Sequence, residues 1–123
     1  MPDKVTLTDA FGSFTERWAP RIVARYEGHE VRIARLEGEF DWHSHRHDEL
    51  FLCVAGELDI EFRNRTVTLN PGELLLIEAG EEHKPNARKG EVQVLLLDPA
   101  DAPNTGDAAT ATVAVDIQPK ERN

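Results

Sequence analysis

Residues 50–80 read LFLCVAGELDIEFRNRTVTLNPGELLLIEAG, and this stretch decides the fold. Leu50 to Ala55 is an apolar run stopped by Ala55-Gly56-Glu57. Leu58 to Phe62 follows, then Thr66 to Leu69 before Asn70-Pro71-Gly72, then Leu74 to Ile77 before Ala79-Gly80. Short aliphatic and β-branched runs separated by glycine and proline are strands joined by sharp reversals. Working outward, Ile22, Val23 and Tyr26 end at Gly28, while Val31, Ile33 and Leu36 end at Gly38. Val92 to Leu97 closes the series. Seven or eight strands at a spacing of roughly 8–12 residues, with no long helical period, predict an all-β sandwich or barrel.

The ends differ from this body. Residues 1–19 mix Asp, Thr, Gly and Ser with Phe11, Phe14 and Trp18. They are too apolar for a free tail and too irregular for a clear helix, so an arm packed on the body or on a partner subunit is expected. Residues 20–98 form the body. Residues 99–123 open with PADAPNTGDAATA, which has no period and many turn formers, and are expected to be a loose tail. Within it, Val113 to Ile117 alternates weakly and is a candidate edge strand.

The chain has 123 residues, room for one domain. Fourteen Lys and Arg stand against 23 Asp and Glu, a net charge of −9. That sign argues against nucleic acid and against an anionic membrane surface as partners. No apolar run approaches the roughly 20 residues of a bilayer span, and the opening MPDKVTLTDAFGSF lacks a secretory apolar segment. A lone cysteine, Cys53, excludes an internal disulfide and fits a reducing compartment. A cytoplasmic location is therefore expected.

Chemistry concentrates in Trp42-His43-Ser44-His45-Arg46-His47-Asp48-Glu49. On a strand, residues two apart share a face, so His43 and His45 offer two imidazoles to one ion. His45 and His47 have the same spacing. Glu49 opens the next apolar run, and a bend at 46–48 returns its carboxylate to the same place. His83 follows Gly80-Glu81-Glu82 at the start of a further strand. Three imidazoles and a carboxylate make a mixed nitrogen and oxygen site for a divalent transition metal. Counting in twos from Glu49 places Phe51 and Cys53 on the same face, with Cys53 best read as a small buried apolar residue. Arg35, Tyr26 and Gln93 could point inward to grip an acidic or hydroxylated substrate, but surface is the simpler reading of each, and Glu78, Glu81 and Glu82 read as a solvated acidic turn.

These residues resemble the two motifs of small single-domain cupins. The first, G-x5-H-x-H-x(3,4)-E-x6-G, is matched by His43-x-His45-x3-Glu49-x6-Gly56, and the second by Gly72-x5-Glu78-x-Gly80-x2-His83, fifteen residues on. The departures are Gly38 one residue close to His43, Glu78 in place of proline, and Asn86 one place early; none removes a ligand. The resemblance, covering about residues 38–97, implies a jelly-roll barrel with His43, His45, Glu49 and His83 as metal ligands. His47 is then left at the rim or behind the ligands. The ion would be Fe, Mn, Ni, Co, Cu or Zn. The resemblance also implies a small-molecule partner and a homodimer, the latter fitting the apolar arm.

Two uses of such a site follow. In one, the protein is a metal-dependent enzyme on a small oxygen-bearing molecule, of dioxygenase, decarboxylase or isomerase type. In the other, it is a non-catalytic small-molecule-binding or sensory cupin. Fold alone does not choose between them.

Overall fold

A computed structural model describes residues 3–100, 102 and 114–117. Helix α1 (Leu7–Gly12) is followed by eight strands: β1 (Arg21–Tyr26), β2 (His29–Glu39), β3 (Glu49–Ala55), β4 (Leu58–Phe62), β5 (Thr66–Leu69), β6 (Leu74–Ile77), β7 (His83–Pro99) and β8 (Val115–Asp116). They make one sheet in the order β5-β4-β7-β2-β1-β8, with β3 branching off β7 and carrying β6 on its other edge. The sheet curls into a jelly-roll barrel without closing its hydrogen-bond ring. Thus the predicted all-β jelly roll is what the chain forms.

Turn chemistry sets the strand ends. At the β5–β6 reversal the Glu73 N–H donates to the Asn70 carbonyl at 2.9 Å, and Gly72 has φ +88°. Proline at the second and glycine at the third position of a four-residue turn is the type II signature. Gly56, after β3, has φ +86°, and a Cβ there would meet the Glu91 carbonyl oxygen at 2.8 Å. Only glycine lets the β3–β4 turn lie this close to β7.

Strand β7 joins the two halves. His83 to Asn86 pair with β4, and Gln93 to Leu97 pair with β3, while β2 runs along its other edge. The sequence reading has one strand starting at His83 and another at Val92 to Leu97, but the two are one continuous strand. Between Gly38↔Ala87 and Leu36↔Val92, β7 takes five steps against two on β2. The surplus residues are accommodated in an irregularity around Gly90, which has φ +117°.

Two apolar clusters result. The barrel interior holds Leu36, Phe51, Cys53, Ile60, Phe62 and Val94 among others, so Phe51 and Cys53 do share the inner face with Glu49. The second cluster lies outside, where Ala10, Phe11 and Phe14 cover Ile33 together with Ile117. The first nineteen residues therefore contain a short helix, unlike the irregular arm expected, and its aromatics bury against the chain's own body. Phe11 is 1% exposed and Phe14 is 4% exposed. The apolar area that had argued for a partner subunit is thus covered within one chain. Of the segment expected as a loose tail, Pro99 ends β7, Ala102, Ala114 and Ile117 are buried, and β8 pairs in parallel with β1. Residues 101, 103–113 and 118–123 of that segment, Val113 included, lie outside the described residues.

Candidate metal centre and cavity

Backbone pairing brings the histidines together. The His43 N–H donates to the His83 carbonyl at 3.0 Å, and the His83 N–H donates to the His43 carbonyl at 2.9 Å. An antiparallel bridge of this kind puts both side chains on one side of the sheet. Their ring centroids lie 4.3 Å apart, with His45 at 4.8 Å from His43 and 5.6 Å from His83. The Gly80 N–H donates to the His45 carbonyl at 2.7 Å and the Ala79 N–H to Asp48 Oδ1 at 2.9 Å. These bonds fasten residues 45–48 to the β6–β7 turn. Glu49, the first residue of β3, then points inward beside the imidazoles.

All three histidines are buried, and one ring nitrogen from each lies within 4.8 Å of the others, a group that could hold a metal ion. Glu49 Oε1 is 3.5 Å from His45 Nε2 and 3.8 Å from His83 Nε2. Donors each about 2.1 Å from a common ion stand about 3.0–3.4 Å apart, so the Glu49 spacings are wider by about 0.1–0.4 Å and a small contraction would seat an ion. His43 Nδ1 lies 2.8 Å from the Asp41 carbonyl, and His83 Nδ1 lies 2.9 Å from the Glu81 carbonyl. A carbonyl only accepts, so each Nδ1 carries the proton and each Nε2 presents a lone pair. The Nε2 atoms of His45 and His83 are buried with no hydrogen-bond partner. Bare buried nitrogens, the one on His83 with its tautomer fixed, are what a cation would satisfy.

Electrostatics favour the ligating forms. Burial pushes the His43 pKa down from 6.5 to about 4, and the neighbouring His83 and His45 add to this. Burial alone would raise Glu49, but the neighbouring His45, His83 and Asp98 side chains outweigh it and hold the carboxyl well below its ordinary range. The carboxylate is thus ionised and the His43 imidazole neutral at pH 7.

His47 stands beside this group. Its ring stacks on His45 with centroids 4.9 Å apart, its Nδ1 donates to the Asp48 carbonyl at 2.9 Å, and Asp98 Oδ1 lies 3.9 Å away. Tyr26 is 65% exposed, and Gln93 is half-buried. Arg35, also half-buried, donates to the Phe11 carbonyl and pairs with Glu91, so it fastens the arm.

The sequence reading passed over Glu30, Arg32 and Asp98. Arg32 is 2% exposed and donates to Glu30 Oε1 at 2.7 and 3.0 Å, to Asp98 Oδ2 at 3.4 Å and to the Ala102 carbonyl at 2.9 Å. Burial, followed by the charge of Glu49, pushes the Asp98 carboxyl up from 3.8 to about 9. Arg32 and Asp98 line an interior cavity with His43 and Glu49, and the remaining walls are mostly apolar, Trp18, Phe40 and Phe51 among them. The cavity volume is about 50 Å³. An outer groove reaches His43 and His45 from the side of Trp42, Arg46 and Glu82.

Comparison with known proteins adds to this geometry. The family model described as "Cupin domain" matches residues 29–98. Among curated proteins, the uncharacterized protein YdbB of Bacillus subtilis (strain 168) is 39% identical over 71 residues, 56% of this chain and 63% of YdbB. The chain therefore spans less than two thirds of that relative's length. A crystal structure of a cupin-2 domain containing protein from Shewanella frigidimarina NCIMB 400 superposes with a TM-score of 0.75 at 36% identity, covering 77% of this chain and 93% of that one. Hydroquinone 1,2-dioxygenase from Sphingomonas sp. TTNP3, solved with 4-hydroxybenzoate bound, superposes with a TM-score of 0.65 at 15% identity, covering 83% and 81%. The last likeness is one of fold.

Proposed function

This chain belongs to the cupin domain family, and from that premise we propose that His43, His45, Glu49 and His83 hold a divalent transition-metal ion, Fe, Mn, Ni, Co, Cu or Zn, at which a small oxygen-bearing molecule is converted. The observation that carries this reading is the pair of buried, unpartnered Nε2 atoms of His45 and His83 facing the ionised Glu49. Such an ion, when bound, supplies Lewis-acid or redox chemistry. The chain's own residues do the rest: Glu49 offsets the ion's charge, and the apolar cavity walls exclude water from the reacting molecule.

Four protein ligands leave one or two positions open on a five- or six-coordinate ion, which is the room a substrate needs. The test is elemental analysis of protein purified without an affinity tag, followed by a turnover screen on small acids with and without O2. One ion per chain with turnover supports the reading; ligand binding without turnover favours the sensory alternative; no ion overturns both as stated.

Among the described residues, no helix is long and apolar enough to cross a membrane, and a cytoplasmic location is part of the proposal. So is a homodimer. Its support now comes from β6, which pairs only with β3 among the described strands and leaves Leu74 60% and Leu76 51% exposed. An edge strand with apolar side chains is a natural seat for a second copy.

A further inference from the structure

We propose that Trp18, which lies before the stretch matched by the family model, is the residue that limits the size of the molecule the cavity accepts, and that this molecule is a short hydroxylated acid. The inference rests on the reading of the site as a metal centre and adds the ligand's shape to it.

The inner face of β2 gives the cavity its long axis. Arg32, Ala34 and Leu36 all line it, in two-residue steps of about 6.6 Å. At the Arg32 end lies Asp98, 2% exposed, whose Oδ1 has no hydrogen-bond partner. That oxygen is open to a hydrogen bond with a ligand hydroxyl, which can donate or accept. At the Leu36 end the wall is aromatic, with Trp18 stacked on Phe40 at 4.8 Å and Phe40 edge-on to His43 at 5.2 Å.

Trp18 is held there from several directions. Its N–H donates to the Arg35 carbonyl at 2.8 Å and its indole Nε1 to the Glu37 carbonyl at 3.0 Å. Arg17, next to it, pairs with Glu91 at 2.8 Å and Glu37 at 3.5 Å. The backbone of Trp18 is left-handed, φ +59°, a conformation uncommon for a bulky residue, and these bonds maintain it. The indole is therefore a fixed wall. A cavity of about 50 Å³ has room for roughly four water-sized centres. A two- to four-carbon 2-hydroxy acid meets all three demands: a carboxylate for the cation, a hydroxyl to bond Asp98, and a short aliphatic tail against Trp18 and Phe40.

The experiment titrates lactate, 2-hydroxybutyrate, 2-hydroxyvalerate and 2-hydroxyhexanoate into wild-type protein and the Trp18→Leu and Trp18→Ala variants. Each is used metal-free and loaded with Mn(II), with binding read by calorimetry and metal content measured first. Wild type should prefer lactate and 2-hydroxybutyrate and bind 2-hydroxyhexanoate at least tenfold more weakly. Trp18→Ala should recover that tenfold with unchanged Mn(II) content, and Trp18→Leu should fall between. The same length profile in all three proteins, or no binding of any acid by Mn(II)-loaded wild type, overturns the proposal. Absence of Mn(II) from wild type counts against the metal reading alone, because the length profile of the metal-free protein still tests the wall.

Discussion

His43 and His83 each donate the Nδ1 proton to a carbonyl two residues earlier, a local arrangement that keeps Nε2 bare whatever else moves. Replacing His83 or His43 with Ala should lower metal affinity by at least about 100-fold, more than the loss of a residue behind the ligands. His47→Ala should retain one ion per chain, by elemental analysis; loss of the ion would shift the ligand pair to His45 and His47. Acidity acts on the same residues. In the metal-free protein His43 titrates near 4 folded and near 6.5 unfolded. Between those values the unfolded chain binds the extra proton, so stability should fall as pH drops from 6.5 to 4, by at most about 3 kcal/mol. Asp98 works in the opposite sense. Its carboxyl is held up near 9, so the folded chain keeps a proton that the unfolded one has lost, and stability falls as pH rises from 3.8 to 9. The two one-proton slopes oppose each other between about pH 4 and 6.5, so urea midpoints should fall mainly from about pH 6.5 to 9; Asp98→Asn should remove that fall and uncover the acid one. The residue-level reading of the sequence reached the histidines and Glu49 because imidazoles at two-residue spacing stand out. It missed Glu30, Arg32 and Asp98 because charges alternating along a strand usually mark a solvent face. Their two-residue phase with Ala34 and Leu36 was the available signal, but Val31 and Ile33, whose side of β2 faces the arm, masked it.

Among the elements, β4, β5 and β6 run over the residues expected from sequence, since each is bounded by a turn with its own chemistry. The helix at 7–12 was illegible for a physical reason: it has six residues, no side-chain cap at Thr6, and is held by burial of Ala10 and Phe11 with Leu7 packed beside them. Propensity does not sustain so short a helix in water, and tertiary burial does. The tightest joint between elements is at Gly56. Gly56→Ala combines a left-handed backbone with a contact of 2.8 Å to the Glu91 carbonyl. It should cost about 2–4 kcal/mol in a urea unfolding curve. A cost below about 1 kcal/mol would mean that β3 and β7 can separate at this turn without penalty.

At the scale of the whole molecule, the arm is a structural cover. Phe11→Ala should destabilise the fold by about 3–5 kcal/mol, the usual result of emptying a buried aromatic site, as measured by thermal or urea unfolding. If the chain is a dimer through β6, Leu74→Lys with Leu76→Lys should halve the mass seen by light scattering, whereas Phe11→Ala should leave the folded fraction's mass unchanged. The long strand β7 has a consequence of its own. It is flanked by β2 on one edge and by β4 and then β3 on the other, so most of its amides sit between partners on both sides. In heavy water, the peptide protons of residues 92–97 should be the slowest to be replaced by deuterium. They should wait for global unfolding, while those of β6 and the arm exchange through smaller openings.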